Sequence, residues 1–476
     1  MRHFYGQFLL HKLKEAQCPG WNMLRIGDYT LETHPALSLT PIITAEGKQY
    51  GFFLGYMISP ANQYAPEAAF VPRDINLEHE KELEDWLYSW RGRYVAIINP
   101  TSYSPRLYLD AIGSMSCVYS VESQLCCSSP RLLHSLSWDD DLVRTYEMPK
   151  SGKFYPAGLT PFKSVLRLMP NFFLDLETMS VSRHWPQRNF KRDYENTNVI
   201  HQIVLRLGNN ICSVAQAHDV YLSLTAGRDS RMLLAASRHK IDSIKFFTYD
   251  SKYMNVDLHI ATKIAKKMCL SWSALPILPS SEQYLDAWQT DVGHCVAGAI
   301  WRHSQSFSQL LPGHIRIPGL GGEIGRCYYW RSHDQSDSMI SAKALLQRMH
   351  LPTDFVSLQK VNSWIESLPS WLDAYDMLDL AYIEHRLGCW AGPSLYGNDQ
   401  YFHGQLAPFG DRYLIEQMLS ISPDYRQRQE LVHDGIRVAW PELLSFPFNR
   451  YTGIRYHFSS SGVYHHLRQL KRAMLN

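Results

Sequence analysis

Residues 220–231 read VYLSLTAGRDSR, and they decide the expected fold of the second half of this chain. The apolar run 220–224 predicts a buried strand, and the sequence MLLAA from Met232 predicts a helix. The first backbone amides of a helix have no partner inside it, and the helix dipole favours negative charge there. Strand, tight loop and helix start together predict an anion site. An ordinary strand-to-helix turn, with Asp229 or Ser230 as the N-cap, fits the same residues.

The side chains of this loop suit a phosphate that is bound with magnesium. Ala226 and Gly227 carry little or no side chain, so a phosphate has room to approach the backbone. Asp229 is a candidate Mg²⁺ ligand because magnesium prefers carboxylate and phosphate oxygens, and Ser230 is a candidate donor to a phosphate oxygen. No Gly-Lys-Ser/Thr follows, and the loop is not GxGxxG, so the patterns of a Walker loop and of a dinucleotide loop are both excluded.

Length and composition restrict the class of protein. A chain of 476 residues predicts two or three domains, and 45% hydrophobic with 19% charged residues is typical of a globular protein. The net charge of +2 gives no electrostatic reason to expect nucleic acid or a membrane surface as partner. Nine scattered cysteines without a CxxC pair predict free, mostly buried thiols in a reducing compartment. The chain start shows no secretory signal and no apolar run approaches about 18 residues, so we expect a cytoplasmic protein without a membrane span.

The pattern of apolar residues changes along the chain. Residues 1 to about 188 look rich in short strands, with one helix predicted over 78–90. From residue 198 a helical stripe is followed by strands that alternate with helices, which predicts parallel βα units whose ligands lie beyond the strands' carboxyl ends. The loop 225–230 and the segment 319–323 both follow predicted strands, so they are expected to face one crevice. The expected strands are 52–56, 94–98, 107–110, 118–120, 125–127, 171–176, 220–224, 244–249, 272–278 and 315–317, and residues from about 340 are expected to be mostly helical.

Several of these motifs resemble the asparagine synthetase superfamily, including β-lactam synthetases and lasso-peptide cyclases. The sequence LTAGRDSR is similar to that family's pyrophosphate loop, usually SGGxDS, and GLGGE over 319–323 is similar to its second loop, usually GxGxD. Asp257 and the PFGD sequence at 408–411 stand where the family has an acidic residue and a Pro-Phe-x-Asp element. Residues 92–113, with later segments of the first half, look like a class II glutaminase-type domain.

The resemblance implies an α/β protein with two parts. Residues 1–188 would form a degenerate class II glutaminase-like, Ntn-type αββα domain. Residues 195–476 would form an adenine nucleotide α-hydrolase-like domain, with a parallel sheet and a helical C-terminal part. The implied reaction is ATP- and Mg²⁺-dependent formation of an amide, lactam or macrolactam. In it a carboxylate is adenylated, pyrophosphate and AMP are released, and an amine takes the acyl group.

The resemblance also assigns roles to residues of this chain. Asp229 and Glu323 would ligate Mg²⁺, and Arg228 and Arg231 are further phosphate candidates, although Arg231 also fits a solvated helix charge. Glu323 stands where the family has an aspartate, and its extra methylene group places the carboxylate farther from the backbone. The residues expected to contact ATP are Leu224, Thr225, Ala226, Gly227, Arg228, Asp229, Ser230, Phe247, Gly319, Leu320 and Gly321.

The chain departs from the family at positions that carry chemistry. The sequence begins Met1-Arg2-His3, and its first cysteine is Cys18, so we expect no glutaminase activity. Ala226 replaces a glycine, which is tolerable only with a negative φ. Leu320 occupies the position of a residue that handles the amine, so a base must come from elsewhere. The candidates are Glu384, His385 and Asp399, each of which also fits an ion-paired surface or helix residue.

A lysine expected late in the family is missing, and Arg450 is the nearest cation. Arginine can hold a phosphate through two hydrogen bonds, so Arg450 is a candidate substitute, and a surface arginine fits equally. His457, His465 and His466 lack the cysteine or carboxylate spacing of a metal site.

The expected partners are a small-molecule or peptide carboxylate, an amine, and either a second copy of the chain or a biosynthetic partner protein. Leu320 and the missing lysine motivate an alternative, a non-catalytic scaffold or binding protein in a biosynthetic assembly. A third hypothesis, nucleotide-dependent RNA modification, predicts a basic face and a reactive cysteine motif, and the sequence shows neither.

Overall fold

The structure is a computed structural model that describes residues 4–451, except 14, 134–135, 148–152, 191, 193–195, 251–255 and 297–302. His457, His465, His466 and residues 452–453 of the late segment therefore lie outside the described residues. The chain is mixed α/β, as predicted: the first half is antiparallel β structure, and the second half contains a parallel sheet and a helical C-terminal part.

Two antiparallel sheets form the first half. The strands of the six-stranded sheet lie in the order β11-β9-β10-β1-β3-β2, and those of the seven-stranded sheet in the order β13-β12-β8-β7-β5-β4-β6, where β6 runs parallel to β4. The strands are β1 Phe8–His11, β2 Asn22–Ile26, β3 Tyr29–Thr33, β4 Leu39–Thr44, β5 Gln49–Ile58, β6 Ala69–Val71, β7 Arg91–Ile98, β8 Arg106–Leu109, β9 Cys117–Ser120, β10 Leu125–Cys127, β11 Leu166–Leu168, β12 Phe172–Asp175 and β13 Val181–Arg183.

The seven-stranded sheet is buried on both faces. Successive side chains of a strand point to opposite faces, and on β5 Leu54 packs into the main core while Phe53 packs into a second cluster. Helix α1, Glu80–Ser89, covers that second face with Leu83, Trp86 and Leu87. The helix predicted over 78–90 is thus confirmed. A further helix of this half, α2, spans Asp140–Tyr146.

The parallel sheet has the order β16-β15-β14-β17-β18, with every neighbouring pair parallel. Its strands are β14 Val220–Ser223, β15 Ile244–Asp250, β16 Trp272–Pro276, β17 Ile315–Ile317 and β18 Gly404–Gln405. The accompanying helices are α3 Asn196–Ala217, α4 Arg228–Ala236, α5 Val256–Met268 and α6 Glu282–Asp291. The predicted alternation of strands and helices is confirmed. The two-residue strand β18 was not predicted because it is too short to show a pattern.

The described residues after 340 are mostly helical, as predicted. The helices are α7 Ala342–Arg348, α8 Phe355–Glu366, α9 Ala374–Ala381, α10 Gly392–Tyr396, α11 Arg412–Ser420, α12 Pro423–Gln427 and α13 Glu430–Ala439. Between α9 and α10 the chain continues as a π-helix, Tyr382–Ala391. Such π-helical turns are rare and are often found at functional sites.

The two halves of the chain pack against each other through one core. Leu10 and Leu54 of the first half and Leu222 of β14 belong to the same buried cluster. The predicted boundary near 188–195 falls partly outside the described residues and stays a prediction. All nine cysteines are free thiols, and six of them are buried, as expected. Across the described ranges, no helix has both the length and the apolar character that crossing a bilayer requires.

Candidate functional site

The two predicted loops meet at one edge of the parallel sheet. Strands β14 and β17 are parallel neighbours, so their carboxyl ends lie side by side. A Cβ built on Gly319 would lie 3.8 Å from the Cβ of Asp229. A Cβ on Gly322 would lie 2.4 Å from Oδ1 and 2.9 Å from Cβ of Asp229, so a side chain there would displace Asp229. The two loops are therefore adjacent, as expected, and the shared crevice stays a prediction.

Asp229 and Glu323 are joined by Arg326. The Arg326 guanidinium donates from Nε to Oδ1 of Asp229 at 3.1 Å and from Nη2 to Oδ2, and Nη2 lies 3.7 Å from Oε1 of Glu323. The hydroxyl of Tyr382, at the start of the π-helix, donates to Oε2 of Glu323 at 2.7 Å. Neither the role of Arg326 nor the contact of Tyr382 with Glu323 was predicted from the sequence. The spacing of three residues between Glu323 and Arg326, within the 3₁₀ turn Gly322–Arg326, was the available signal for the first.

The two carboxylates repel each other in a buried place. Burial raises the pKa of Asp229 to about 7, repulsion from Glu323 adds to the rise, and Arg326 opposes it. A bound cation would favour the state in which both groups are ionised. Mg²⁺ is commonly held by one or two carboxylates together with phosphate oxygens, so the donors present fit this metal if a phosphate completes its shell. Among the described residues there is no cluster of three or more His, Cys, Asp or Glu side chains suited to hold a metal alone.

The first loop is held by hydrogen bonds to its own side chains. The hydroxyls of Thr225 and Ser230 lie 2.7 Å apart, and Ser230 Oγ accepts from the Thr225 amide at 3.1 Å. The Gly227 amide donates to Thr225 Oγ1 at 3.0 Å, and the Ala226 amide donates to Asp257 at 2.9 Å. Ala226 is absent from the residues with positive φ, so its methyl group is accommodated as the sequence required. Asp257, in the first turn of α5, thus lies beside the loop.

Helix α4 begins directly at this loop. Its N-cap is Gly227, which has no side chain that could cap the helix. The alternative in which Asp229 or Ser230 is the N-cap is therefore wrong. The N-terminus of α4 favours an anionic ligand, whereas the carboxylates of Asp229 and Glu323 beside it would require a bound cation to offset their charge.

The late segment of the chain docks on the same loop. Arg231 is fully buried and donates to the carbonyls of Phe446, Pro447 and Ala226 at 2.6, 3.0 and 3.1 Å. The Asn449 amide also donates to the Ala226 carbonyl, at 3.1 Å. Arg231 is a structural clamp, so its interpretation as a solvated helix charge is wrong.

Two further arginines lie around the loop. The half-buried guanidinium of Arg228 is 5.0 Å from the ring centre of Phe448. Arg450 is exposed and directly follows Asn449, whose backbone is bonded to the loop. Arg450 is therefore adjacent in sequence to a residue that is bonded to the loop, and its role toward a phosphate stays a prediction.

The residues expected to border the adenosine are placed by the sheet. Leu224 directly follows β14 and Phe247 lies in the middle of β15; both are buried, and the Leu224 amide donates to the Phe247 carbonyl at 2.9 Å. Leu320 is partly buried against the main core. Gly321 has a φ of +92°, the left-handed region that favours glycine, and a Cβ there would lie 2.9 Å from the Cβ of Phe409. The PFGD element and the second loop are therefore in contact.

Replacing Gly321 with alanine is expected to destabilise the second loop and lower the melting temperature. A left-handed φ costs about 1–2 kcal/mol for an L side chain, and the new methyl group would also press on Phe409. Gly313→Ala is the matched control, because Gly313 has a φ of +80° with nothing within 4 Å of its would-be Cβ. Thermal unfolding of both variants checks this, and equal shifts would contradict a role for the Phe409 contact.

The three candidate bases are all buried in polar networks. Glu384 accepts hydrogen bonds from Arg183, Asn171 and Trp364. Asp399 pairs with Arg93 through two bonds of 2.6 and 2.8 Å. The structure thus matches the ion-paired alternative for these two residues, except that both are buried rather than on the surface. Catalysis by either stays a prediction.

Their environments make His385 a weak base and the Cys18 thiol a weak nucleophile. His385 is fully buried, its Nδ1 accepts from the Ala157 amide at 2.9 Å, and burial lowers its pKa to about 3. Burial, followed by the charge of Glu32, raises the pKa of the Cys18 thiol to about 11. A thiol with this pKa forms little thiolate near neutral pH.

Comparison with known proteins adds no assignment for this site. A scan against protein-family models and a search of curated proteins find no match to the chain. Its chemistry must therefore be argued from the residues and their geometry.

Proposed function

We propose that this chain is an ATP- and Mg²⁺-dependent ligase that adenylates a carboxylate and passes the acyl group to an amine. The observation that carries the proposal is the pairing of Asp229 and Glu323 through Arg326 at the carboxyl ends of two parallel strands. The similarity of both loops to those of the asparagine synthetase superfamily supports the same reaction. Each acid follows a strand in the place where ligands of parallel sheets bind.

Each residue of the site has a proposed part in the activation step. The α4 amides with the Thr225 and Ser230 hydroxyls bind the pyrophosphate portion of ATP, and Arg228, Arg326 and Arg450 surround it with positive charge. Asp229 and Glu323 would hold Mg²⁺, which when bound neutralises charge on the leaving pyrophosphate. Leu224 and Phe247 border the adenosine, with the backbone of Gly319, Leu320 and Gly321 on the other side.

The proposed architecture follows the same resemblance. The two antiparallel sheets would be a degenerate glutaminase-like domain that supports the synthetase part, which would be adenine nucleotide α-hydrolase-like. The raised pKa of the Cys18 thiol is consistent with the proposal that the amine comes from a source other than glutamine. The proposed setting is cytoplasmic, with a small-molecule or peptide carboxylate as substrate and a second copy or a biosynthetic protein as partner.

Exchange of labelled pyrophosphate into ATP tests the activation step without knowledge of the amine. Protein, ATP and Mg²⁺ are incubated with pools of carboxylic acids, and exchange is measured together with AMP. Acid-dependent exchange is expected, with AMP and pyrophosphate formed in equal amounts once an amine is present. Release of ADP and phosphate, or absence of both exchange and ATP binding, would contradict the proposal.

One observation favours the alternative, a non-catalytic scaffold in a biosynthetic assembly. Arg326 already contacts both acids, and the amides of Thr225, Ala226 and Gly227 already donate to the side chains of Ser230, Asp257 and Thr225. In a protein that binds no nucleotide, such bonds satisfy the polar groups of the loop. A ligase must replace some of them with bonds to phosphate. Calorimetry with Mg²⁺ and ATP separates the two functions, since a scaffold is expected to give no binding heat.

A further inference from the structure

A pocket of about 530 Å³ is separated from Glu323 by the aromatic side chains of Tyr328 and Tyr382. Tyr328 lines it, and the ring centre of Tyr328 is 4.9 Å from that of Tyr382, whose hydroxyl donates to Glu323. The volume is within the range of small-molecule sites, about 300–1,000 Å³. The pocket is therefore large enough for a ligand and close enough to reach the proposed site of activation.

The pocket wall is cationic and aromatic. Arginine side chains contribute most of the charge, and no residue of the described lining is Asp or Glu. The Arg348 guanidinium donates two hydrogen bonds to the carboxylate of Asp334, at 2.5 and 2.7 Å, so its charge is already balanced. Arg331 and Arg386, by contrast, have no carboxylate partner among the residues that the structure describes. The lining includes Lys153, Phe154, Tyr328, Trp330, Arg331 and Arg386.

Arg386 is held in an orientation that suits recognition of a carboxylate. Its guanidinium lies 3.9 Å from the ring centre of Trp390, and Phe154 lies farther away at 5.8 Å. A guanidinium in contact with an aromatic face keeps its N–H edge free, and that edge matches a carboxylate through two parallel bonds. Because the side chain is held before binding, less conformational entropy is lost on contact with a ligand.

We propose that this pocket binds a second carboxylate of the acyl substrate, separate from the carboxylate that is activated. That the ligand is the acyl substrate rests on the proposed function. Binding of a carboxylate in the pocket needs neither ATP nor Mg²⁺. Arg386 is the main contact for the second carboxylate, Arg331 gives additional charge at the mouth, and the aromatic wall packs against the body of the substrate. The substrate class is therefore an aromatic or otherwise flat molecule, or a short peptide end, with at least two carboxylates.

Calorimetry with N-benzoyl-glutamate tests this pocket in the absence of nucleotide. This dianionic aromatic probe is expected to bind the full chain, and the neutral diamide of the same compound is expected to bind at least tenfold more weakly. Arg386→Gln should weaken binding of the dianion at least tenfold. Arg386→Lys should weaken it less, and Arg331→Gln should weaken it a few-fold. Arg144→Gln is the matched control, since Arg144 is exposed on α2 and pairs only with exposed Asp141 among the described residues.

The outcomes of this binding experiment can be told apart from those of the test of the proposed function. Equal binding of dianion and diamide, no binding of the dianion, or equal effects of Arg386→Gln and Arg144→Gln would overturn the proposal for the pocket. Arg331→Gln alters an exposed side chain, so it remains informative if Arg386→Gln misfolds. Absence of pyrophosphate exchange together with normal, Arg386-dependent binding would reject the ligase and keep the carboxylate site.

Discussion

Asp229→Asn is expected to reduce acid-dependent pyrophosphate exchange by about 10²–10³-fold or more, the loss seen when a group that stabilises developing charge is removed. Asparagine keeps the size of the side chain but cannot neutralise a divalent cation. It also removes one of the two acids that converge on Arg326. Exchange rates at saturating ATP and acid, compared with those of the unaltered chain, measure the effect.

The fold is expected to tolerate this change. Burial and Glu323 raise the pKa of Asp229 to about 7, so near neutral pH the folded protein already holds this group ionised only in part. An acid with a raised pKa in the folded state weakens the protein as pH rises above the unfolded value, because the unfolded chain ionises more readily. Removing that charge therefore leaves the free energy of unfolding near neutral pH unchanged or increased, and Arg326 retains Glu323 as a partner.

Asp219→Asn provides the matched control. Asp219 directly precedes β14, at the opposite end of the strand from the proposed site, and its side chain is 67% exposed. Its contacts with Lys245 at 3.8 Å and His314 at 3.4 Å are long. This variant is expected to exchange pyrophosphate at the unaltered rate. Full activity of Asp229→Asn, or equal losses in both variants, would contradict the assignment of Asp229.

The sequence predicted the frame of the site because that frame depends on local patterns. The apolar run at β14, the helical stripe of α3 and the alternation of strands and helices each have a period that identifies the element. Once the strands are parallel, the loops at 225–230 and 319–323 must meet at one edge. The requirement for glycine also follows from local geometry, as at Gly321 with its positive φ.

The partners of the site residues were not predictable in the same way. Arg326 bridges the two acids, and Arg231 clamps the segment at 446–447, through contacts that depend on how distant segments pack. Tyr382 reaches Glu323 from a π-helix, which has no distinct sequence period. From sequence alone, a charged residue on a helix is expected to be exposed to solvent. Arg231 is instead covered by Phe446 and Pro447, which are distant in the sequence.

Glu384→Gln is expected to destabilise the protein by about 3–5 kcal/mol, the cost of breaking a buried ion pair by removing one partner. Glu384 is fully buried, and its carboxylate accepts from Arg183 at 2.6 and 2.9 Å, from Asn171 at 2.7 Å and from Trp364 at 2.5 Å. All these partners are donors. An amide at this position places a donor against donors and leaves the Arg183 charge without a counter-ion.

Urea unfolding of Glu384→Gln and Glu430→Gln measures the difference. Glu430 pairs with Arg428 on the surface of α13, with side chains 40% and 60% exposed, so its loss should leave stability unchanged within error. The double variant Arg183→Gln with Glu384→Gln is expected to recover part of the loss, because it removes the uncompensated charge. Equal effects of Glu384→Gln and Glu430→Gln would show that the buried pair does not stabilise the contact between the two halves.

The same variant separates a structural role of Glu384 from a catalytic one. If Glu384 only holds the halves together, the folded variant should retain pyrophosphate exchange and amide formation in the same ratio as the unaltered chain. If Glu384 is the base that deprotonates the amine, exchange should persist while amide formation is lost, because activation of the carboxylate precedes the need for a base. We expect the first result, since hydrogen bonds from Arg183, Asn171 and Trp364 already occupy this buried carboxylate.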